Sequence, residues 1–232
     1  AELVSTRVKW TWDPIPEALG KQWQFDVSNN SWGAINPFGD NFNSTTLTFA
    51  WVALRTGVED GRDGLGTVFV FSAGNSAAMG DNTNYHNFQN AREVIAVGAA
   101  DASGAMAGFS TPGANVLVSS AGVDMITTDR HQPGWGVNPS GNYVTNFTGT
   151  SAAAPMVSGI TALMLEANPN LGYRDVQEIL VYASTHPEVQ DWKTNGASNF
   201  NLGGLQFNDK AGFGLVDAYS AVRLAETWTK VS

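Results

Sequence analysis

Two stretches of the chain are apolar without interruption and indicate strands buried on both faces of a sheet. Residues 67–71 read Thr-Val-Phe-Val-Phe and run into Ser-Ala-Gly, and residues 93–100 read Glu-Val-Ile-Ala-Val-Gly-Ala-Ala. Continuous runs of this kind are typical of parallel sheets that helices cover on both sides. Shorter patterns predict further strands over residues 1–12, 25–31, 116–119 and 125–128.

Helical patterns alternate with these strands. Residues 152–167 are apolar nearly all round and stop at Asn168-Pro169, which predicts a helix in the interior of the domain. Residues 14–23, 45–56, 174–184 and 215–228 predict the other helices. Buried strands alternating with helices predict an α/β fold of three layers, α/β/α, around a mostly parallel sheet. Since no repeat or linker interrupts the chain, we treat residues 1–232 as part of a single domain.

Composition excludes several classes of protein. The 232 residues include 12 Lys and Arg against 21 Asp and Glu, for a net charge of −9, with no cysteine and three histidines. Acidic charge without basic clusters argues against nucleic-acid binding. No apolar run reaches the roughly 18 residues of a membrane span. The absence of cysteine excludes disulfides, thiol catalysis and thiolate metal sites.

Two positions stand where parallel sheets bind ligands, at the carboxyl ends of strands. Ser151 opens the apolar helix, where free N–H groups and the helix dipole favour negative charge. Asn75 directly follows a buried strand, and a side-chain amide held there is a suitable oxyanion donor. Each residue taken alone also fits a plain structural role, a helix cap for Ser151 and a turn for Asn75.

Residues 147–155, Phe-Thr-Gly-Thr-Ser-Ala-Ala-Ala-Pro, resemble the nucleophile motif of the subtilases, G-T-S-x-A-x-P. Residues 72–75, Ser-Ala-Gly-Asn, resemble their oxyanion segment, and residues 26–33 resemble a strand that forms one wall of their substrate cleft. Residues 64–75, 80–85 and 165–177 are similar to the kexin/furin branch. The resemblance implies a subtilisin-like fold.

The resemblance also implies a function, that of a serine endopeptidase. Ser151 is expected to form the acyl-enzyme, and Asn75 is expected to hold the oxyanion together with the N–H of Ser151. The substrate is then a polypeptide bound in an extended conformation. The residues expected to line it are Ser31, Trp32, Gly33, Ala73 and Gly74.

The chain departs from the family pattern in its acid and base. The family's triad runs Asp, His, Ser, but neither the D-[ST]-G nor the H-G-T motif is present. His86, His131 and His186 lie in other contexts and are expected to be surface or loop residues. We therefore expect an N-terminally truncated, C-terminal portion of the domain, inactive by itself. An upstream chain or segment is expected to supply the Asp and His.

Calcium is implied by the resemblance alone. Kexin-like enzymes hold a calcium ion beneath the pocket for the P1 residue with three acidic side chains, whose positions correspond here to Asn36, Asp81 and Thr111. Only Asp81 keeps a carboxylate, and Asp40 is an alternative to Asn36. Asp81 is thus the expected metal ligand. The alternative is that Asp81 is an ordinary carboxylate in a turn. The acid of the pocket floor corresponds to His86, which predicts at most a weak preference for basic P1 residues.

Two rival functions stay open. The first is a non-catalytic subtilase-fold module used for binding. The second is a carbohydrate-binding or adhesive domain, suggested by 25 aromatic residues, eight of them Trp, and by Asn-rich loops. The intact pair of Ser151 and Asn75 argues against both. The lack of cysteine, the acidic charge and the family's tendency to be exported predict a secreted bacterial protein.

Overall fold

The computed structural model describes residues 2–6, 11–130, 137, 141–187, 191–194 and 204–229. The α-helices are α1 (Ile15–Leu19), α2 (Leu47–Asp60), α3 (Thr150–Ala167), α4 (Tyr173–Tyr182) and α5 (Ala218–Thr227). Short 3₁₀ helices cover Gln22–Gln24, Gly61–Gly64, Ala77–Met79 and Thr83–Tyr85. Among the described residues, none of the helices combines the length and the apolar character that a membrane span needs.

The strands are short and most of them join one sheet. They are β1 (Val27–Asn30), β2 (Val68–Ser72), β3 (Val94–Ala100), β4 (Val116–Ala121), β5 (Met125–Thr128), β6 (Tyr143–Phe147), β7 (Ser184–Thr185), β8 (Lys193–Thr194), β9 (Gln206–Phe207) and β10 (Leu215–Val216). The main sheet has the order β1-β2-β3-β4-β10-β7, in which only the last pair is antiparallel. β1 therefore forms one edge of the described sheet.

Helices cover both faces of this sheet, which gives three layers. β2 is buried along its whole length because its side chains enter two cores alternately. Val68 and Val70 face α3, α4 and α5, whereas Phe69 and Phe71 face α1 and α2. The predicted α/β/α architecture with a mostly parallel sheet is confirmed.

The interior helix begins at the carboxyl edge of the sheet. Gly149 precedes α3 with a φ of 151°, where a Cβ would be strained, and its N–H donates to the carbonyl of Gly122 at 2.8 Å. Ala153 and Ala154, fully buried, let the helix approach β1, β2, β3 and β4 closely. Ser151 thereby lies where the strands of the parallel sheet end.

Two expected elements differ from the structure, and one observed strand was not expected. The described residues among 1–12 form no strand. The helix expected over residues 215–228 begins only at Ala218, because Leu215 and Val216 pair with β4 and β7 as β10. β6 was not predicted, since it pairs with β5 at the surface and buries no regular face.

Candidate active site

A pocket of about 250 Å³ opens at the carboxyl ends of β1 and β2, against the first turn of α3. It brings together every site residue that the sequence predicted. These are Ser31, Trp32, Gly33, Ala73, Gly74, Asn75, Asp81 and Ser151. The wall is completed by residues from the loop between β2 and β3, which include His86 and Gln89.

Ser151 is held by two reciprocal hydrogen bonds with Ser31. Its Oγ donates to the carbonyl of Ser31 at 3.3 Å, and the Oγ of Ser31 donates to the carbonyl of Ser151 at 3.1 Å. The side chain is half-buried at the pocket and therefore accessible to a substrate. In the first turn of a helix the backbone N–H groups lack intrahelical acceptors, so the N–H of Ser151 is available to an anion.

Asn75 is anchored through its side-chain oxygen. Its Oδ1 accepts hydrogen bonds from the backbone N–H and from the Oγ1 of Thr150, both at 2.9 Å. Because the oxygen is engaged, the Nδ2 end of the amide is the end left for a ligand. It has no hydrogen-bond partner among the described residues. The amide can therefore donate a hydrogen bond to an anion in the pocket that it shares with Ser151.

Thr150 connects parts of the candidate site, and the sequence analysis missed it. Its buried hydroxyl donates to Asn75 and accepts from the backbone N–H of Gly74 at 3.2 Å. It therefore joins the loop after β2 to the start of α3. The position inside the Gly-Thr-Ser motif was the available signal, but a contact across 75 residues cannot be read from local pattern.

The two cleft-lining segments differ in how they are held. The ring of Trp32 makes T-shaped contacts with the rings of Phe71 and Phe88, with centroids 5.2 and 5.0 Å away. These contacts fix Trp32 to the hydrophobic core. Gly33 is exposed, and its backbone groups bond to none of the described residues. Gly74 has a φ of 109°, which favours glycine, and a Cβ there would lie 2.9 Å from the Oγ1 of Thr111.

Of the two histidines that the structure describes, His86 and His186, neither forms a hydrogen bond with Ser151. His186 is exposed and its ring lies 4.8 Å from that of Trp192. His131 lies outside the described residues. His86 differs from the expectation of a surface or open-loop residue, because it is only 3% exposed and its imidazole bonds to Asp81 in the wall of the pocket.

His86 lies between two buried carboxylates. Its Nε2 is 3.0 and 2.9 Å from the two oxygens of Asp81, and its Nδ1 is 3.7 Å from Oδ1 of Asp40. Interaction with Asp40 is the largest effect on the pKa of His86 and raises it, burial lowers it, and the hydrogen bond with Asp81 raises it again. The net effect is a raised pKa, which favours the charged imidazolium.

The residues present do not fit the calcium ion that the family resemblance implies. Calcium takes six to eight oxygen ligands, but both oxygens of Asp81 contact the imidazole of His86. The hydroxyl of Thr111 accepts from the N–H of Ser76, and Asn36 is exposed. In the part of the chain that the structure describes, no group of three acidic or histidine side chains is arranged to hold a metal.

A larger groove, of about 640 Å³, lies between α2 and the start of α4, away from Ser151. It is lined by Trp51, Arg55 and Tyr173, among others. Arg55 pairs with Glu59 at 2.7 Å and stacks over Trp51. Size alone would favour this groove, but its lining residues include no serine, threonine or cysteine, whereas the smaller pocket contains Ser151 together with Asn75. The chemistry therefore points to the smaller pocket.

The chain has relatives among characterised proteins. The human proprotein convertase subtilisin/kexin type 7 is 34% identical over 226 residues, which cover 92% of this chain and 27% of the relative. The human type 4 convertase is 38% identical over 184 residues, or 76% of this chain and 22% of the relative. Endoprotease aex-5 of Caenorhabditis elegans is 33% identical, covering 89% of this chain and 36% of that protein. The chain thus spans about a quarter to a third of these relatives' length.

Solved structures show the same fold. A serine protease of Aeromonas sobria superposes with a TM-score of 0.78 at 22% identity, over 89% of this chain and 44% of that one. The same protease in complex with its chaperone gives a TM-score of 0.82 at 21% identity, over 96% and 47%. The sequence model of the Subtilase family matches residues 5–214. The chain belongs to the subtilase family and is similar to its kexin-type proprotein convertases.

Proposed function

We propose that this chain carries the nucleophile and the oxyanion site of a subtilisin/kexin-like serine endopeptidase. The observation that supports the proposal best is the position of Ser151 at the start of α3, with Asn75 anchored beside it by Thr150. Acyl transfer needs a nucleophile and oxyanion donors that reach one carbonyl group, and this arrangement supplies both.

The proposed reaction proceeds through an acyl-enzyme. The Oγ of Ser151 attacks the scissile carbonyl carbon while a base removes its proton, and the new oxyanion accepts hydrogen bonds from Nδ2 of Asn75 and the N–H of Ser151. The intermediate collapses, the C–N bond breaks, and the amine leaves with the proton from the protonated base. Water then attacks the ester in the same way and releases the acid.

The substrate is proposed to be an extended polypeptide that lies between two chain segments. Residues 31–33 follow β1 and residues 73–74 follow β2, so the two segments end at the same edge of the sheet. The free backbone groups of Gly33 can pair with a peptide in the manner of an added strand. An extended main chain would then bring one carbonyl to Ser151.

The base and its aspartate are proposed to come from an upstream chain or segment. As described, the Oγ of Ser151 donates to a backbone carbonyl, which cannot act as a base, and His86 is engaged by Asp81. β1 is the edge strand of the sheet, and its carboxyl end lies beside Ser151. A further parallel strand added to this edge would therefore end beside the nucleophile. On this proposal the 232-residue chain is inactive by itself.

The alternative is a non-catalytic subtilase-fold module. It is favoured by the hydrogen bond from the Oγ of Ser151 to the carbonyl of Ser31, since a serine without a base is unreactive. In either case we propose that the protein acts outside the cell, as the net charge of −9 and the absence of cysteine suggest. A bacterial source stays a prediction from the sequence.

Labelling with a fluorophosphonate probe tests the proposal. We expect no labelling of the 232-residue chain, labelling at Ser151 when the upstream segment is supplied, and none in a Ser151→Ala variant. The expected loss is large, because removing the histidine alone costs about 10⁶ in kcat in subtilisin, the standard example. Labelling of the isolated chain would mean that one of His86, His131 or His186 serves as the base instead. No labelling with the upstream segment present would favour the binding module.

A further inference from the structure

Asp81 and His86 line the pocket, and together with Asp40 behind them they form a buried cluster that the proposed reaction does not use. Asp40, Asp81 and His86 are 0%, 8% and 3% exposed. Asp40 comes from the loop after β1, and the other two come from the loop between β2 and β3. The cluster therefore joins the two loops that form the sides of the pocket.

The cluster holds two carboxylates that require a positive charge. Burying a carboxylate without a partner is costly, and two of them side by side repel each other. In the described part of the chain, His86 is the basic side chain within 4 Å of either acid. Its imidazole lies between them, with Nε2 at 2.9 Å from Asp81 and Nδ1 at 3.7 Å from Asp40.

The remaining contacts show that the imidazole completes the cluster. Oδ2 of Asp40 accepts the backbone N–H of Phe88 at 2.9 Å, which leaves Oδ1 facing the ring. Oδ1 of Asp40 and Nδ1 of His86 are both buried and have no hydrogen-bond partner among the described residues. They lie 3.7 Å apart, which is longer than a hydrogen bond but within the range of an ion pair.

We infer that the imidazole of His86 takes the place of a metal ion between Asp40 and Asp81, so that this pocket wall needs no calcium. The ring does part of what a bound cation would do: it sets a nitrogen against each of the two acids and links the two loops. It also blocks a cation sterically, because it occupies the space that both carboxylates face. A hard ion would find nitrogen where it requires oxygen.

Thermal unfolding of the protein in EDTA and in excess calcium chloride tests the inference, with magnesium chloride as the control for ionic strength. The wild-type Tm is expected to be the same in EDTA and in calcium. In His86→Asp a third carboxylate replaces the ring, so the Tm is expected to be low in EDTA. Calcium at roughly 100 times its dissociation constant should then raise it by about 5–10 °C.

The control variant is His186→Asp, the same substitution at an exposed position, whose Tm should not respond to calcium. A wild-type Tm that rises with calcium and loses this response in Asp81→Asn would overturn the inference. So would a His86→Asp variant that folds but ignores calcium. If His86→Asp does not fold, the comparison of wild type with Asp81→Asn still decides.

Discussion

The hydroxyl of Thr150 is the best position at which to test how the oxyanion site is held. Replacing it in Thr150→Val keeps the shape of the side chain, which is fully buried, and removes one donor and one acceptor. The backbone N–H of Gly74 then loses its acceptor, at about 1–3 kcal/mol, and Asn75 loses one of its two hydrogen bonds, at about 1 kcal/mol. We expect the free energy of unfolding to fall by roughly 2–4 kcal/mol.

Urea unfolding and thermal melts measure this loss, and the Tm should fall by roughly 5–15 °C for a chain of this size. Thr150→Ser keeps the hydroxyl and is the matched control. In a form of the protease that turns over, kcat should drop while KM stays near the wild-type value. The drop in kcat should not exceed the roughly 10²–10³-fold that the complete loss of an oxyanion donor costs. Wild-type stability in Thr150→Val, or a raised KM with unchanged kcat, would refute the reasoning.

Three further predictions concern the pocket wall and the helices. Because the folded pKa of His86 is raised above its ordinary value of 6.5, its contribution to stability is fully present below that pH and is lost as the pH rises through the folded pKa. In His86→Gln, the free energy of unfolding measured with urea should fall less steeply as the pH rises. The same pH dependence in the variant as in the wild type would contradict the raised pKa of His86. A peptide library should show at most a weak preference for Lys or Arg at P1, since both oxygens of Asp81 are engaged by His86; a profile dominated by basic residues would disprove this. Gly57→Ala should cost about 1–3 kcal/mol, because the new Cβ would lie 2.5 Å from the ring of Phe69. Gly159→Ala, in an open position of α3, should instead gain up to about 1 kcal/mol, and equal effects at the two glycines would exclude packing as the cause.

Local pattern predicted the centre of the fold well and its periphery poorly. The run at residues 67–71 matches β2 to within one residue, because a strand buried on both faces must be apolar throughout. β10 was missed, since its partners β4 and β7 lie far along the chain and its own pattern is too short to indicate a strand. β6 was missed although it pairs with the neighbouring β5, because it buries no regular face. In β10 the pairing of Leu215 and Val216 overrides the helical pattern that follows them.

The candidate site shows the same division. Ser151 and Asn75 were found because each stands in a motif at the end of an apolar element, and the pocket brings both together. The link between them through Thr150 was not found, and neither was the burial of His86. Both depend on side chains that meet across distant parts of the chain, Asn75 with Thr150 and Asp40 with His86. Periodicity carries no information about such pairs.

The two ends of the Asn75 amide have separate roles because Thr150 directs two donors at the same oxygen. A rotation that exchanged Oδ1 and Nδ2 would set an NH₂ group against those two donors, so the protein itself opposes the flipped rotamer. The dipole of the amide is therefore fixed before a substrate arrives, and little reorganisation energy is required as the oxyanion forms. An aspartate at position 75 would accept the same two bonds and keep the helix start in place. It would present a second oxygen where a donor is needed, which separates the structural role of this side chain from its chemical one.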